Sequence, residues 1–180
     1  MKLISNLWLA AVVALPCLPV MAQDAPTYNS SSEILFSPDE TSLDLFGSLS
    51  AGQEVINHIS GKRVVDDGRF GAGAGVNHFF GRFVGLGADA YTENTAHSFV
   101  DNVAGSLILR IPFDSAHLAP YAFGGGGYQF DPSHVAFGHL GGGLDVRFTK
   151  HVGLFADARY VITDGTKNFG VGRLGIRLSY

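Results

Sequence analysis

Residues 139–160, HLGGGLDVRFTKHVGLFADARY, alternate between apolar and polar side chains over most of their length. Leu144 is followed by Asp145, and the same order continues to Arg147. The alternation resumes after a polar break at 149–151. A period of two residues is typical of β-strands, whose successive side chains point to opposite faces. The stretch therefore predicts two antiparallel strands joined by a tight turn.

The same period extends over most of the chain and predicts eight strands. They cover residues 41–53, 69–79, 82–92, 102–111, 118–130, 139–148, 152–160 and 173–180. Short connections alternate with longer polar connections at 54–68, 93–98, 131–135 and 163–168. Strands of ~10 residues suit a tilted bilayer crossing, and short turns alternating with long loops are typical of outer-membrane barrels. The predicted fold is all-β, an eight-stranded antiparallel up-and-down transmembrane β-barrel over residues 41–180.

The first 22 residues are typical of a secretory signal peptide, which is cleaved before the barrel assembles. Lys2 supplies a positive start, residues 7–15 are almost wholly apolar, and Ala22 is a small residue suited to cleavage. The apolar run is shorter than the ~20 residues of a membrane-spanning helix. Cys17 is the only cysteine in the sequence, so cleavage after Ala22 leaves no thiol for disulfides or metal binding.

Residues 23–40 are polar and contain two prolines, which predicts a periplasmic leader between the signal peptide and the barrel. Its short apolar run, Ile34, Leu35 and Phe36, is the part of the leader suited to packing against the barrel rim. The predicted organisation is a signal peptide over 1–22, a leader over 23–40 and a barrel after it.

The charge balance excludes one class of partner. The sequence has 12 basic and 16 acidic residues, a net charge of −4 at pH 7. Nucleic-acid-binding domains are usually strongly basic, so nucleic acid is not expected as a partner.

Charged residues gather on one parity of the predicted strands. Facing hydrocarbon, an arginine near the bilayer midplane would cost ~2–4 kcal/mol, so this parity is predicted to face the barrel lumen. We predict a lumen charge network in which Asp145 and Asp157 are each held by at least one arginine. The network comprises Asp89, Arg110, Asp145, Arg147, Asp157, Arg159, Arg173 and Arg177, and Asp44 shares its parity.

A soluble periplasmic barrel of the lipocalin-like binding type is the alternative to a membrane barrel. Such a barrel would carry lysine and glutamate on the outside of its strands and apolar side chains inside. Here lysines such as Lys62, Lys150 and Lys167 fall in loops or turns, and the charged strand residues share the predicted inner parity. The pattern favours the membrane barrel.

Aromatic residues cluster near both ends of the predicted strands, as in the aromatic girdles of membrane barrels. The group near the predicted periplasmic ends is Phe79, Phe80, Phe83, Phe113, Tyr121, Phe148 and Tyr180. The group near the opposite ends is Tyr91, Phe99, Tyr128, Phe130, Tyr160 and Phe169.

Three segments together resemble the OmpA-like and opacity-like family of outer-membrane β-barrels. They are PYAFGGGGY at 120–128, the hairpin at 141–160, and GIRLSY at 175–180. The resemblance implies a cell outer-membrane location, a monomer in contact with membrane lipid and lipopolysaccharide, and a final aromatic, Tyr180, that serves as a signal to the barrel-assembly machinery. It implies a structural, surface-interaction or small-pore role and brings no catalytic residues with it.

An enzyme acting on lipid A acyl chains is the alternative function. It would need a serine activated by a histidine near the outer leaflet. His58 with Ser60, and His97 with Ser98, are the local pairs, and neither has an evident orienting carboxylate. The spacing of the histidines matches no metal motif. We predict a non-enzymatic protein without catalytic, cofactor or metal site.

Overall fold

The computed structural model describes residues 34–51, 54–56, 61, 63–65, 68–93, 100–131, 134–164 and 167–180. They belong to the compact unit Ser32–Tyr180. The predicted signal peptide, most of the predicted leader, and the pairs His58 with Ser60 and His97 with Ser98 lie outside the described residues.

The described residues form ten strands, numbered in chain order. They are β1 (Thr41–Ala51), β2 (Glu54–Ile56), β3 (Arg63–Val65), β4 (Arg69–Phe79), β5 (Val84–Thr92), β6 (Asn102–Arg110), β7 (Leu118–Gln129), β8 (Val135–Arg147), β9 (Val152–Thr163) and β10 (Phe169–Ser179). Eight of them close into an antiparallel barrel in the order β1-β10-β9-β8-β7-β6-β5-β4. Neighbours in the chain are neighbours in the sheet, and β1 pairs with β10 to close it. The predicted eight-stranded barrel is confirmed.

The two ends of the barrel differ. At the terminal end lie the start of β1, the end of β10 and a 3₁₀ turn at Asp114–Ala116. At the opposite, loop end, β2 and β3 form a separate two-stranded hairpin. In the part of the chain described, no helix has the length and apolar character needed to cross a membrane.

Sequence and structure differ in where some strands begin. β8 begins at Val135 and β10 at Phe169, four residues before the predicted starts in both cases. Here the inward positions carry apolar side chains, so the alternation that marks the charged segments is lost. The hairpin β2–β3 falls in a predicted loop, because its strands of three residues are too short to show a period.

The outward face of the barrel is free of charge. On the described residues of the eight barrel strands, no Asp, Glu, Lys or Arg occupies an outward position. Leucine, alanine and glycine make up most of that face, and Leu107 and Leu174 are 51% and 65% exposed. The outside of the barrel is therefore an apolar surface.

The predicted aromatic girdles need a correction. Rings are exposed on the outside near both ends, at Phe80, Phe83, Phe113, Phe148 and Tyr180 and at Tyr128, Phe130 and Tyr160. Four others predicted for the girdles, Phe79, Tyr91, Tyr121 and Phe169, are buried inside the barrel. They occupy inward-facing positions of their strands. A ring's closeness to a strand end does not show which face of the strand it lies on. Phe99 lies outside the described residues.

Candidate functional site

The lumen is filled by charged side chains. The structure directs all eight residues of the predicted network inward, together with Asp44, and it adds Glu40. The five arginines face five carboxylates, so this set is electrically balanced. The ion pairs divide it into a terminal cluster of six residues and a central cluster of four.

Glu40 is the centre of the terminal cluster, although the sequence pattern predicts it as part of the leader and not of the lumen network. Its carboxylate is 3.1 Å from Arg110 and 2.6 Å from Arg147. It also accepts a hydrogen bond from Ser179 at 3.3 Å. Glu40 is 3% exposed. One buried carboxylate therefore ties together β6, β8 and β10.

The rest of the terminal cluster continues this chain of pairs. Asp145 accepts from Arg147 at 2.9 Å and from Arg177 at 2.7 Å. Arg177 also donates to both oxygens of Asp44, at 2.8 and 2.7 Å. Asn77 donates to Asp44 at 2.8 Å. Bidentate arginine–carboxylate pairs are among the strongest polar contacts in proteins.

The central cluster lies nearer the middle of the barrel. Arg159 donates to the two oxygens of Asp89 at 3.1 and 2.7 Å. Arg173 donates twice to Asp157, at 2.8 Å each, and lies 3.3 Å from Asp89. The Tyr121 hydroxyl donates to Asp157 at 2.7 Å. Both Asp145 and Asp157 thus have arginine partners.

These pairs cross the lumen. Asp89 on β5 and Arg159 on β9 lie on strands that are not adjacent in the barrel, so their contact bridges its interior. Buried aromatic rings such as Phe123 and Phe155 fill the remaining space. The packing is so close that a side chain at Gly143 would not fit, because its Cβ would lie 2.4 Å from the Cβ of Asp157. The void beside the central cluster measures about 20 Å³, room for about one water molecule.

The N-terminal plug, Leu35–Glu40, covers the terminal end of the lumen. Phe36 is fully buried, with its ring centre 5.4 Å from the Arg110 guanidinium and 5.1 Å from that of Arg147. Leu35 is buried beside it, whereas Ile34 is 54% exposed. Two of the three apolar residues singled out in the leader therefore pack against the barrel.

Asp114, in the 3₁₀ turn at the terminal end, holds the N-terminal plug through hydrogen bonds and an ion pair. Its carboxylate accepts the amide protons of Leu35 and Phe36 at 3.0 and 3.3 Å and pairs with Arg82. Arg82 in turn donates to the Phe36 carbonyl at 3.1 Å. Partial burial raises the pKa of Asp114, but the hydrogen bonds from Arg82 and the two amides outweigh it and hold that pKa below its ordinary value.

Acid is therefore expected to loosen the plug. A carboxyl whose pKa is lowered by folding stabilises the folded form above its unfolded pKa of about 4, and this contribution is lost as pH falls through the lower folded value. NMR shifts of the Leu35 and Phe36 amides should change in that range, and in Asp114→Asn they should not titrate there. Amide shifts that titrate alike in both proteins would contradict the assignment.

Ser106 and His139 form a second buried contact, which the sequence pattern does not predict. The Ser106 hydroxyl lies 2.9 Å from His139 Nε2. The imidazole sits between Phe123 and Phe137, with ring centres 6.0 Å away on both sides. Both side chains are buried in the lumen, away from the apolar outside. Among the described residues, no group of acidic, histidine or cysteine side chains has the arrangement of a metal site.

A closed eight-stranded barrel with an apolar outside and an ion-paired lumen has the fold of the outer-membrane β-barrels. The N-terminal β-barrel domain of OprF from Pseudomonas aeruginosa is similar, with 14% identity over 80% of this chain and 99% of that chain and a TM-score of 0.60. Ail, the attachment invasion locus protein of Yersinia pestis, has 17% identity over 79% of this chain and 99% of its own, with a TM-score of 0.55.

A de novo designed transmembrane β-barrel is also similar, with 14% identity over 79% of this chain and 97% of that chain and a TM-score of 0.52. No protein-family model and no curated protein matches the chain. At these identities the likeness shows the fold alone.

Proposed function

We propose that the protein is an integral outer-membrane barrel with a structural or surface-interaction role and a closed lumen. One observation carries the proposal: the outward positions of the eight described barrel strands hold no charge, while ten charged side chains pair inside. A closed barrel satisfies its backbone hydrogen bonds internally, as hydrocarbon requires. In water the exposed leucines would form an apolar belt far larger than soluble monomers expose.

The side chains that fill the lumen do not favour a pore. Barrels of eight strands enclose little more than their own side chains. Here cross-lumen pairs such as Asp89 with Arg159 occupy the middle, and Phe36 and Glu40 occupy the terminal end. A small pore, the second candidate role, would require these pairs to separate.

The protein is expected to fold in detergent or lipid, to migrate differently on gels before and after heating, and to show no steady conductance in planar bilayers. The physical reasons are the apolar outside and the filled lumen. Gel shifts, circular dichroism and single-channel recording measure these properties. Folding as a monomer in plain buffer would overturn membrane insertion, and stable openings of general-porin size would overturn the closed lumen.

Sulfated polysaccharides are poor candidates for a surface partner. Ail has been solved with the heparin analogue sucrose octasulfate. In this chain the segments 52–68, 93–101, 131–134 and 164–168, which connect strands at the loop end, contain seven carboxylates and three lysines or arginines. A net charge of −4 on these segments repels polyanions. We propose that partners at this end are neutral or cationic.

We also propose that the protein is not an enzyme. Among the described residues, the Ser106 hydroxyl lies within hydrogen-bond distance of the His139 imidazole, and both side chains point into the lumen. A lipid acyl chain outside the barrel does not reach them. Deleting either side chain should leave the lipid A acyl pattern of cells unchanged.

Tyr180 is proposed as the signal for the barrel-assembly machinery. Tyr180 is 75% exposed, while its backbone exchanges hydrogen bonds with Thr41 at 2.8 and 3.3 Å. Tyr180→Ala removes the ring and keeps these bonds, so outer-membrane levels should fall several-fold while refolded protein unfolds at nearly the same urea concentration. Exposed Phe148→Ala is the control for loss of an aromatic ring. Equal membrane levels for both variants would refute the assignment.

A further inference from the structure

The seam, the pairing of β1 with β10 that closes the barrel, has no turn to set its register. In every other neighbouring pair of the eight described barrel strands, a turn or loop of the chain joins one strand to the next. A connection limits how far two strands can slide past each other, and the inward–outward pattern excludes a slip by one residue. A slip by two residues keeps every side chain on its face and changes the stagger of the barrel. Specific contacts at the seam must therefore oppose it.

A row of alternating aromatic and glycine residues crosses the seam on the inward face. From β5 through β4, β1 and β10 to β9, the paired residues are Tyr91, Gly73, Phe46, Gly175 and Phe155. The three rings are buried, and the ring centre of Phe46 lies 6.4 Å from that of Tyr91 and 6.2 Å from that of Phe155. Within the row, a glycine thus separates each ring from the next.

The glycine at the seam leaves no room for a side chain. A Cβ at Gly175 would lie 2.3 Å from a backbone oxygen of β1, 2.7 Å from Phe46 Cβ and 2.8 Å from Phe155 Cε1. On the other side of Phe46, a Cβ at Gly73 would lie 2.7 Å from the tip of the Phe46 ring. Glycine inside a strand often marks such a close approach of neighbouring chains. The shape of Phe46 therefore fits the seam where β10 presents a glycine.

An ion pair lies two residues along the seam, toward the terminal end. Asp44 and Arg177 are direct partners in the register, and Arg177 donates to both carboxylate oxygens at 2.8 and 2.7 Å. A slip by two residues would place Ser179 or Gly175 opposite Asp44, depending on its direction. In both directions an arginine of β10 would replace the glycine opposite Phe46. Both slips therefore part the directly opposed ion pair and crowd the ring.

We propose that the aromatic–glycine row and the adjoining ion pair form a register lock, which fixes the one stagger at which β10 closes on β1. The lock combines shape with charge. Gly175 makes room for Phe46, and Arg177 faces Asp44 directly in this register alone. The pair of Arg173 with Asp157 differs, because it joins β10 to β9, whose register a loop of the chain already limits.

Three glycines make a matched set of variants. Gly175→Ala crowds the seam. Gly172→Ala adds a methyl group to the outward face of the same strand, where the nearest atom, the Leu49 carbonyl oxygen, is 4.0 Å from the Cβ position. Gly143→Ala crowds the lumen on β8, away from the seam, with a Cβ 2.4 Å from that of Asp157. The second variant controls for the change of residue and the third for crowding of the lumen.

Interstrand NOEs read the register directly. In the folded full-length chain in detergent micelles, the amide protons of Leu43 and Leu178, which are paired across the seam, should show an NOE, as should those of Leu45 and Ile176. In Gly175→Ala these NOEs should be lost or joined by a second set whose partners are shifted by two residues, while both controls keep the parent set. Unchanged NOEs in folded Gly175→Ala, or equal loss in Gly143→Ala, would overturn the proposal.

Phe46→Leu tests the lock without adding bulk, in case Gly175→Ala does not refold. Without the ring, a slipped register is less crowded, so the amides of β1 and β10 should exchange with solvent faster than in the parent, and by a larger factor than those of the other barrel strands. Phe137→Leu is the control, because Phe137 is a buried ring on β8. Equal acceleration in the seam strands of the two variants would reject the lock.

Discussion

Asp157→Ala is expected to lower the free energy of unfolding by about 3–5 kcal/mol, the usual cost of removing one partner from a buried ion pair. Asp157 accepts two hydrogen bonds from Arg173 and one from Tyr121. Without it, the central cluster holds Arg159 and Arg173 against Asp89 alone. Urea unfolding in lipid vesicles measures the loss.

Asp164→Ala is the control, because Asp164 lies just beyond β9 and is exposed. Exposed charges contribute only ~0–1 kcal/mol, so its midpoint should hardly move. Asp157→Asn, which keeps the size and removes the charge, should fall between the two. Equal midpoints for Asp157→Ala and Asp164→Ala would show that the central cluster does not support the barrel.

The parity of the strands made much of this arrangement predictable. Side chains along a strand alternate between its two faces unless a bulge intervenes. Once one charged residue of a strand is assigned to the lumen, the charged residues two positions away are assigned to it as well. Asp145 and Arg147 followed from this rule, as did Asp157 and Arg159. The pairing of Arg173 with Asp157 is also local, because the two are opposite each other on β10 and β9.

The alternation of side chains along each strand does not predict which residues meet across the lumen. The pair Asp89 and Arg159 depends on the curvature and stagger of the closed barrel, which one sequence does not reveal. Inward aromatics such as Tyr121 were misplaced for a different reason. A ring near a strand end suits a membrane girdle and a lumen equally well, and only its parity separates the two.

Glu40 was missed because it precedes β1, in a stretch without alternation. A signal was present nonetheless: the predicted inward set, with Asp44, held five arginines against four aspartates. An unpaired arginine inside a narrow barrel is costly, so charge balance called for one more carboxylate. The short apolar run just before Glu40, which the sequence predicts at the rim, places this carboxylate beside the lumen.

Glu40→Ala is expected to destabilise the barrel by about 3–5 kcal/mol, as much as Asp157→Ala. Arg110 has no other carboxylate partner in the described residues, and its remaining hydrogen bonds go to the carbonyls of Arg82 and Ser37. Arg147 keeps Asp145, so the stranded charge is Arg110. Urea unfolding in lipid vesicles measures the loss, and release of the plug should appear as faster exchange of the Phe36 amide.

The double variant Glu40→Ala with Arg110→Met separates the two contributions to this loss. If the stranded guanidinium dominates, removing it should recover most of the stability, because an apolar replacement of a buried ion pair is often nearly neutral. If the plug instead acts through packing of Phe36, the double variant should stay as unstable as Glu40→Ala, and Phe36→Ala should reproduce the loss by itself. A Glu40→Ala midpoint equal to that of the parent would remove Glu40 from the lumen network altogether.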